Sequence, residues 1–488
     1  MTTLIPKFDL KNGTTTPTGA INRPINKKLA ETVSVLDFGA DSTGATDSSA
    51  AFQAAVNAAK FVLVPQGTYL INTTVNIPTQ VNLIGQGMYN VSNIIVNNDI
   101  TCFNITNNVT LKNLFITHTG DGIIVNAPQA LSIILEFITF YASSTSSTKD
   151  LIYTSGSFTW IRQCGFNSAR PYGNCINLDR TGDVINIESH IELNGFGGAG
   201  SAIVIQSSDN SGRPEGVHIT NNSFIGQHEN LRINQVLECT ISNNVFDQGG
   251  AYNVIFNPTG SGINSVQLTG NYFSTPSAPS DGVAVVHLNP TSGIPLAQIG
   301  FTDNTFTFCG IGCALYAPAT SITFVGNSFA AIGNAGIGLN GVQKAVILGN
   351  TFDSVTTTNI SLIDGASGGP FSVDANQFWS SANCTFTKTT PGKFLFGITN
   401  TGNQLAGWSS VATTSSATPS GGYIYVPHGL RGTPDKGKII ASLVPNSLTV
   451  SGAVNVTVVF VDETNIELQV FYTSTGGSTY DVNVFASL

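Results

Sequence analysis

The sequence predicts an all-β chain built around a parallel β-solenoid, with an irregular N-terminal arm and a small C-terminal β-sandwich. Three observations carry this. A short motif, Ile/Leu/Val-x-x-Asn-x-Phe, recurs along the middle of the chain. Only 10% of the residues are charged although 41% are hydrophobic, so Asn, Ser, Thr and Gly must keep the surface wet. One segment alone has the apolar period of a helix.

The arm, residues 1–35, carries Gly, Pro, Thr and Asn without a clear period. It has too few apolar residues to fold alone. Ser48 to Lys60 is the one convincing helix: Asp47 or Ser48 can cap it, and Ala51, Phe52, Ala55, Val56 and Ala59 form a stripe. Strands follow at 61–64 and 68–71, around a turn at Pro65-Gln66-Gly67. Residues 36–100 therefore read as a capping helix with the first coils.

Residues 101–402 hold the repeat. Its Asn positions are Asn222, Asn244, Asn271, Asn304, Asn327, Asn350 and Asn376, separated by 22, 27, 33, 23, 23 and 26 residues. A Phe stands two residues after each, and Phe140 and Phe166 look like weaker upstream copies. A second element, seen as Gly122-Ile-Ile-Val, Gly282-Val-Ala-Val and Gly336-Ile-Gly-Leu, lies between copies. Periods of this length with uncharged turns mark coils stacked at about 4.8 Å, where equal residues align. Stacked Phe fills the core, and stacked Asn bonds the backbone of the adjacent coil. Residues 403–488 begin with a Ser/Thr/Ala linker and continue as about five alternating strands, which suggests the β-sandwich.

Net charge −9 excludes a nucleic-acid binder, which needs clustered Lys and Arg. No apolar run is long enough to insert in a membrane, and MTTLIPKFDLKNG lacks the core of a signal peptide. Seven Cys without a Cys-x-x-Cys pair read as buried thiols rather than a metal or redox site. No cofactor and no metal are expected.

The string DFGADSTGATDSSAAFQAAV…VPQGTYLI resembles the opening of the pectate-lyase-like right-handed parallel β-helix superfamily. Together with the preceding TLIPKFDLKNG…TPTGAINRPINKKLAETVSVLDFGA, it resembles a bacteriophage tailspike. The family's acidic Asp-Gly-x-Thr-Asp-Asp run is here Ser-Thr-Gly-Ala-Thr-Asp-Ser. The resemblance implies a homotrimer located in the virion tail and acting at the bacterial cell surface. It implies a 1–35 arm that docks on phage tail or adaptor proteins. It implies a β-helix that binds or cleaves bacterial surface polysaccharide, and a 403–488 domain for trimerisation or receptor contact. His428-Gly429-Leu430…Thr433-Pro434 looks like a string near the ends of phage fibre proteins, with a structural role.

Ionisable residues are concentrated: fifteen lie between Asp179 and Asp247, against nine from 250 to 400. A solenoid surface of Ser, Thr and Asn has no stability reason for this; a polar groove acting on a saccharide does. Ile185 to Asn194 alternates strictly, with Ile185, Ile187, Ile191 and Leu193 expected inside and Asn186, Glu188, His190, Glu192 and Asn194 outside. Glycosidic cleavage needs two carboxyls, about 5–5.5 Å apart for retention or 6.5–9.5 Å for inversion. Glu188 and Glu192 are roughly 13 Å apart along a strand. Aligning Ile187 with Ile219 instead sets Asp183 over Glu215 and Asn186 beside His218, although Ser207 to Pro214 reads as an inserted loop that makes this register uncertain. The catalytic candidates are thus Asp183, Glu188, Glu215 and Glu192. Arg180, His190, Arg213, His218 and Arg232 would orient the substrate; alternatively the acids form solvated salt links with Arg180, Arg213 and Arg232. Trp160 and Tyr172 would stack on a sugar ring, or pack in the core.

Three functions compete: an endo-glycosidase spike, or less favourably a lyase; a non-catalytic receptor-binding adhesin of the same fold; and a secreted pectin-degrading enzyme. The last is disfavoured by the missing signal peptide and by the lack of a dense Asp group for calcium.

Overall fold

Alternating apolar residues fold into short strands, each hydrogen-bonded in parallel to a strand of the adjacent coil. This computed structural model describes residues 31–387 apart from 88–90, 183–186, 199, 227–228, 248–251, 276–281, 289–292, 364–370 and 381. Outside that range it describes only short strands and one helix. The chain divides into two units, Met1–Gln227 and His228–Leu488. Both are parallel β-solenoid in their described coils.

In the first unit each coil contributes three strands to three columns. One column runs through Leu111, Leu135, Ile161, Ile191 and Ile219. A second aligns Val125, Ile152, Ile176 and Ile203. The third is aromatic: Phe140, Phe166, Phe196 and Phe224 stack with centroids 5.0, 4.7 and 4.7 Å apart. In-register parallel pairing forces this, because each residue sits one strand spacing from its equivalent.

Corners separate the columns. Asn113, Phe137, Gln163, Leu193 and Asn221 take φ of 53–59°, the left-handed region. Each turns its own side chain away from the core and the next one inward. Asn194 and Asn222 occupy that inward place and are buried. Asn222 Oδ1 accepts from the N–H of Asn194 at 2.9 Å and from its Nδ2 at 3.0 Å, while Asn222 Nδ2 donates to Ile191 O at 2.8 Å. Cys164 fills the same place one coil earlier, its N–H donating to Asn194 Oδ1 at 2.9 Å.

The helix spans Ser49–Ala58 and buries Ala51, Phe52, Ala55 and Val56, with Phe52 edge-on to Tyr69. Asp47 Oδ1 accepts from the Ser49 N–H at 3.0 Å. Gln53 then closes a sheet edge: its Nε2 donates to Asn76 O and its Oε1 accepts from Asn76 N–H, both at 2.8 Å. An edge left open would offer pairing to another chain. In the turn before the helix, Asp41 accepts from the side chains and backbones of Thr43 and Thr46. Of the arm, the structure describes an antiparallel pair, Lys7–Phe8 with Arg23–Pro24, and the helix Ile25–Leu29.

The second unit repeats the design with the motif at full strength. Asn244, Asn271, Asn304, Asn327, Asn350 and Asn376 form an unbroken ladder, each backbone N–H donating to the amide oxygen of the next at 2.9–3.0 Å. Phe246, Phe273, Phe306, Phe329, Phe352 and Phe378 stack at 4.7–5.2 Å. The Gly-Val-x-Val element lies in strand Val283–His287, and the Gly-Ile-x-Leu element lies in Ser328–Asn340. Parallel pairing continues to Ser409–Ser410. Beyond it, Gly422–Pro427, Asn465–Phe471 and Asn455–Val461 form a three-stranded antiparallel sheet, and Ile440–Pro445 pairs with Tyr480–Phe485. His428 lies outside the described residues.

All seven cysteines are free and buried; burial pushes the Cys164, Cys175 and Cys384 thiols up to about 12. Among the described residues no helix is long and apolar enough to cross a membrane.

The Asn304 side chain has four ladder bonds, to Leu268 O, Asn327 Oδ1 and the N–H and Nδ2 of Asn271. Asn304→Ala strands the Asn271 N–H and the Leu268 carbonyl in a dry interior. The expected loss is about 2–4 kcal/mol, read as a lower midpoint of denaturant unfolding. An unchanged midpoint would remove the ladder from the interactions that hold the coils together.

Candidate functional site

The strand Ile187–Glu192 pairs with Ser157–Arg162 on one side and Glu215–Thr220 on the other, all within the first unit. The register differs from the one expected. Ile187 faces Glu215 and His190 faces His218, a shift of 28 residues and not 32. Glu215 therefore does not pair with residue 183, and Asp183 and Asn186 lie outside the described residues. Facing also departs from simple alternation. Leu193, expected inside, is 54% exposed, and Asn194, expected outside, is buried. The reason is the corner: Leu193 has φ 59°, which inverts the sides after it. Within the strand, Ser189 and Ile191 face in while His190 and Glu192 face out.

In this register three aromatic side chains of successive coils coincide on the outer face. Trp160 stacks on His190 with centroids 3.8 Å apart and planes at 5°. His190 stacks on His218 at 4.7 Å and 15°. Each ring immediately precedes the aliphatic residue of its coil: Trp160-Ile161, His190-Ile191, His218-Ile219. That extension of the motif is readable in the sequence and was the signal for the stack. Trp160 thus faces outward and not into the core.

Beside the rings stands Glu188. It sits on a second corner column with Ser132, Phe158 and Gly216, at φ of 57°, 57°, 55° and 65° for residues 132, 158, 188 and 216. A left-handed backbone at a Glu is uncommon and is sustained here by the coils on either side. Its Oε2 lies 3.7 Å from His190 Nε2 and 3.9 Å from His218 Nε2. Gly216 makes the room: a methyl group there would stand 3.1 Å from Glu188 Oε1. Phe158, 46% exposed, adds apolar surface one coil away.

The other candidates are placed differently. Glu192 follows Lys112, Glu136 and Arg162 in one column of alternating sign. Glu136 there forms ion pairs with Lys112, whose Nζ is 2.8 Å away, and with Arg162, whose Nε is 3.1 Å away. Arg180 donates from Nη1 to Arg213 O at 3.0 Å. Asp179 accepts from Ser208 N–H and Oγ. Asp209, held at about 2 chiefly by the Gly182 N–H, ties 182 to the 207–214 loop. Asp179, Arg180 and Asp209 therefore lace that inserted loop, a stability reason for this part of the charge cluster. Glu215 opens its strand, half-buried. Tyr172 stands 76% exposed on a turn. Arg232 lies in the second unit and forms a forked ion pair with Glu229, at 2.8 and 2.5 Å.

Burial, and next the positive charge of His218, push the His190 pKa below the ordinary imidazole range; Glu188 and Glu192 oppose the shift. His118 and His287 are lowered too, mainly by burial.

Residues 32–203 match the model of the rhamnogalacturonase A/epimerase, pectate lyase-like family. No curated protein matches the chain by sequence. Three solved structures are similar. Tailspike protein 3 of bacteriophage CBA120 has TM-score 0.56 and 16% identity over 85% of this chain and 68% of its own. A mutant tailspike of E. coli bacteriophage HK620, in complex with a pentasaccharide, has TM-score 0.53 and 12% identity over 98% and 96%. Pre-mature gene product 12 of bacteriophage phi29 has TM-score 0.53 and 14% identity; the alignment covers 73% of this chain and 57% of that one. These likenesses show the fold, a parallel β-helix.

With folded-state pKa values lowered, the unfolded chain takes up histidine protons first. Stability is then full above about pH 6.5 and falls as pH drops from there towards the folded-state values. The melting temperature is expected to fall between pH 7.5 and 5.5. In His190→Phe, which keeps a ring in the stack without a charge, the fall should be smaller. An equal fall in both proteins would take the stack out of the pH response.

Proposed function

We propose that this chain, a tailspike-type β-helix, binds a bacterial surface polysaccharide and cleaves it by endo-glycosidic hydrolysis. The observation that carries the reading is the outward Trp160–His190–His218 stack with the Glu188 carboxylate beside it. The rings cover one another's faces, so the stack turns a platform of ring edges to solvent, apolar C–H groups beside imidazole nitrogens, along which a sugar chain can lie. A carboxylate at the platform's side reaches the glycosidic oxygen or the anomeric carbon of a sugar lying on it.

Hydrolysis needs a second carboxyl. Glu215 pairs with Ile187 one coil on, so its Cα is about 6 Å from that of Glu188 by sheet geometry. From backbones this close, the two side chains can set their carboxyls within the range glycosidases use, and Asp183 is the other candidate. In this reading Glu188 protonates the leaving oxygen and its partner attacks, or activates water. The phage tailspikes among the similar structures support the glycan as target and the virion tail as location. We further propose a homotrimer, docked on tail proteins through residues 1–35.

A second reading, a non-catalytic adhesin of the same fold, is favoured by one observation. The charge ladder of Lys112, Glu136, Arg162 and Glu192 leaves Glu188 as the carboxylate nearest the stack among the described residues. A lyase would show itself by an ultraviolet-absorbing unsaturated product.

Host polysaccharide incubated with the protein is expected to shorten on size-exclusion chromatography. Glu188→Gln should lower turnover by about 10²–10⁴-fold with little change in glycan affinity. Trp160→Ala should weaken affinity by about tenfold. No shortening by the wild type, with binding intact, would establish the adhesin instead. Full cleavage by Glu188→Gln would overturn the role given to Glu188.

A further inference from the structure

Glu188, His190 and His218 bring three donor atoms within 4.8 Å of one another. The Oε2–Nε2 separations, 3.7 and 3.9 Å, are too long for hydrogen bonds. They are close to another standard distance. Two ligands of one tetrahedral ion, each bonded at about 2.0–2.1 Å, lie roughly 3.4 Å apart. We propose that these three side chains form a binding site for a divalent transition-metal ion of the Zn²⁺ class.

The donor chemistry sets the class. Two imidazoles and one carboxylate suit Zn²⁺, Co²⁺ or Ni²⁺. Ca²⁺ and Mg²⁺ take oxygen ligands in greater number. The cysteines do not compete, since all seven are buried. The geometry sets what must move. The imidazole planes are within 15° of parallel, so their lone pairs run side by side and do not yet converge. His190 is clamped against Trp160 at 3.8 Å. His218 is the freer ring, its side chain 37% exposed. A swing of His218 about its Cα–Cβ bond, with Glu188 drawn in by about half an ångström, closes the three donors on one point. Gly216 beneath Glu188 leaves space for that approach.

Three protein ligands leave at least one position facing solvent, the open kind of site. A glycan hydroxyl or carboxylate would complete it, and that last step rests on the glycan binding proposed above. Metal capture itself does not. An ion held there takes the Glu188 lone pair, so the metal-loaded and proton-transferring states of the site are alternatives.

The full-length chain, stripped with chelator and dialysed into metal-free buffer, is titrated with ZnCl₂ in a calorimeter, without glycan. One equivalent per chain is expected. His218→Ala and Glu188→Gln should each weaken binding by at least about tenfold, and CaCl₂ should give no heat. Absent zinc binding in the wild type would overturn the proposal. So would unchanged affinity in both variants, which would assign the heat to other groups. Because no glycan is present, the result stands apart from the outcome of the depolymerase assay.

Discussion

Register is the constraint on which the remainder of the molecule depends. Burial forbids a parallel coil to slip by one residue, which would turn every buried side chain outward, but nothing in an aliphatic column such as Leu135, Ile161, Ile191 forbids a slip by two, which keeps the faces. The corner does. A left-handed residue followed by a buried Asn can bond the adjacent coil in one alignment only, because the amide must meet both an N–H and a carbonyl. Asn304, held from both neighbouring coils, shows the point. The Phe columns then fall into step two residues later, and so do the rings on the outer face. The stack of Trp160, His190 and His218 is thus a by-product of the same indexing, on the opposite side of the sheet.

This division explains what could be read from the sequence. The fold was legible because Asn and Phe recur together, and their joint recurrence has few causes other than stacking. The upstream copy at Asn194-Gly-Phe196 is masked by the charges around it, and the register is masked with it. Ile occurs at both 187 and 191, so an alignment of 187 with 219 was as attractive as the true one of 191 with 219. The inserted loop at 207–214 concealed the difference. Alternation misled at Leu193 and Asn194 because corner geometry is imposed by the coils and does not require Gly. Phe137, Phe158, Glu188 and Leu193 all accept it.

The charged residues were legible as a cluster but not as separate assemblies. Composition registers that Arg180, Asp179 and Asp209 are near Glu188 in sequence. It cannot register that Arg180 reaches the carbonyl of Arg213 or that Asp179 collects the donors of Ser208. Those partners are backbone groups or hydroxyls, which carry no pattern. By contrast, the alternating Lys112, Glu136, Arg162, Glu192 column is spaced like the aliphatic residues and is recoverable once the register is known. Sorting the cluster by register leaves Glu188 and the two histidines facing solvent together.

The ladder tolerates unequal coils. From Asn271 to Asn304 the chain takes 33 residues, and from Asn304 to Asn327 it takes 23. The hydrogen bonds are the same length at both steps. Extra residues are therefore absorbed in connections that do not enter the columns, and the columns do not record them. This is a scaffold that can be edited in small pieces. A loop can lengthen or shorten while the indexing residues stay put. Sequence identity can then decay to the level seen with the similar structures while the architecture persists. A change on the rim leaves the ladder bonds in place, and a change at a corner removes them.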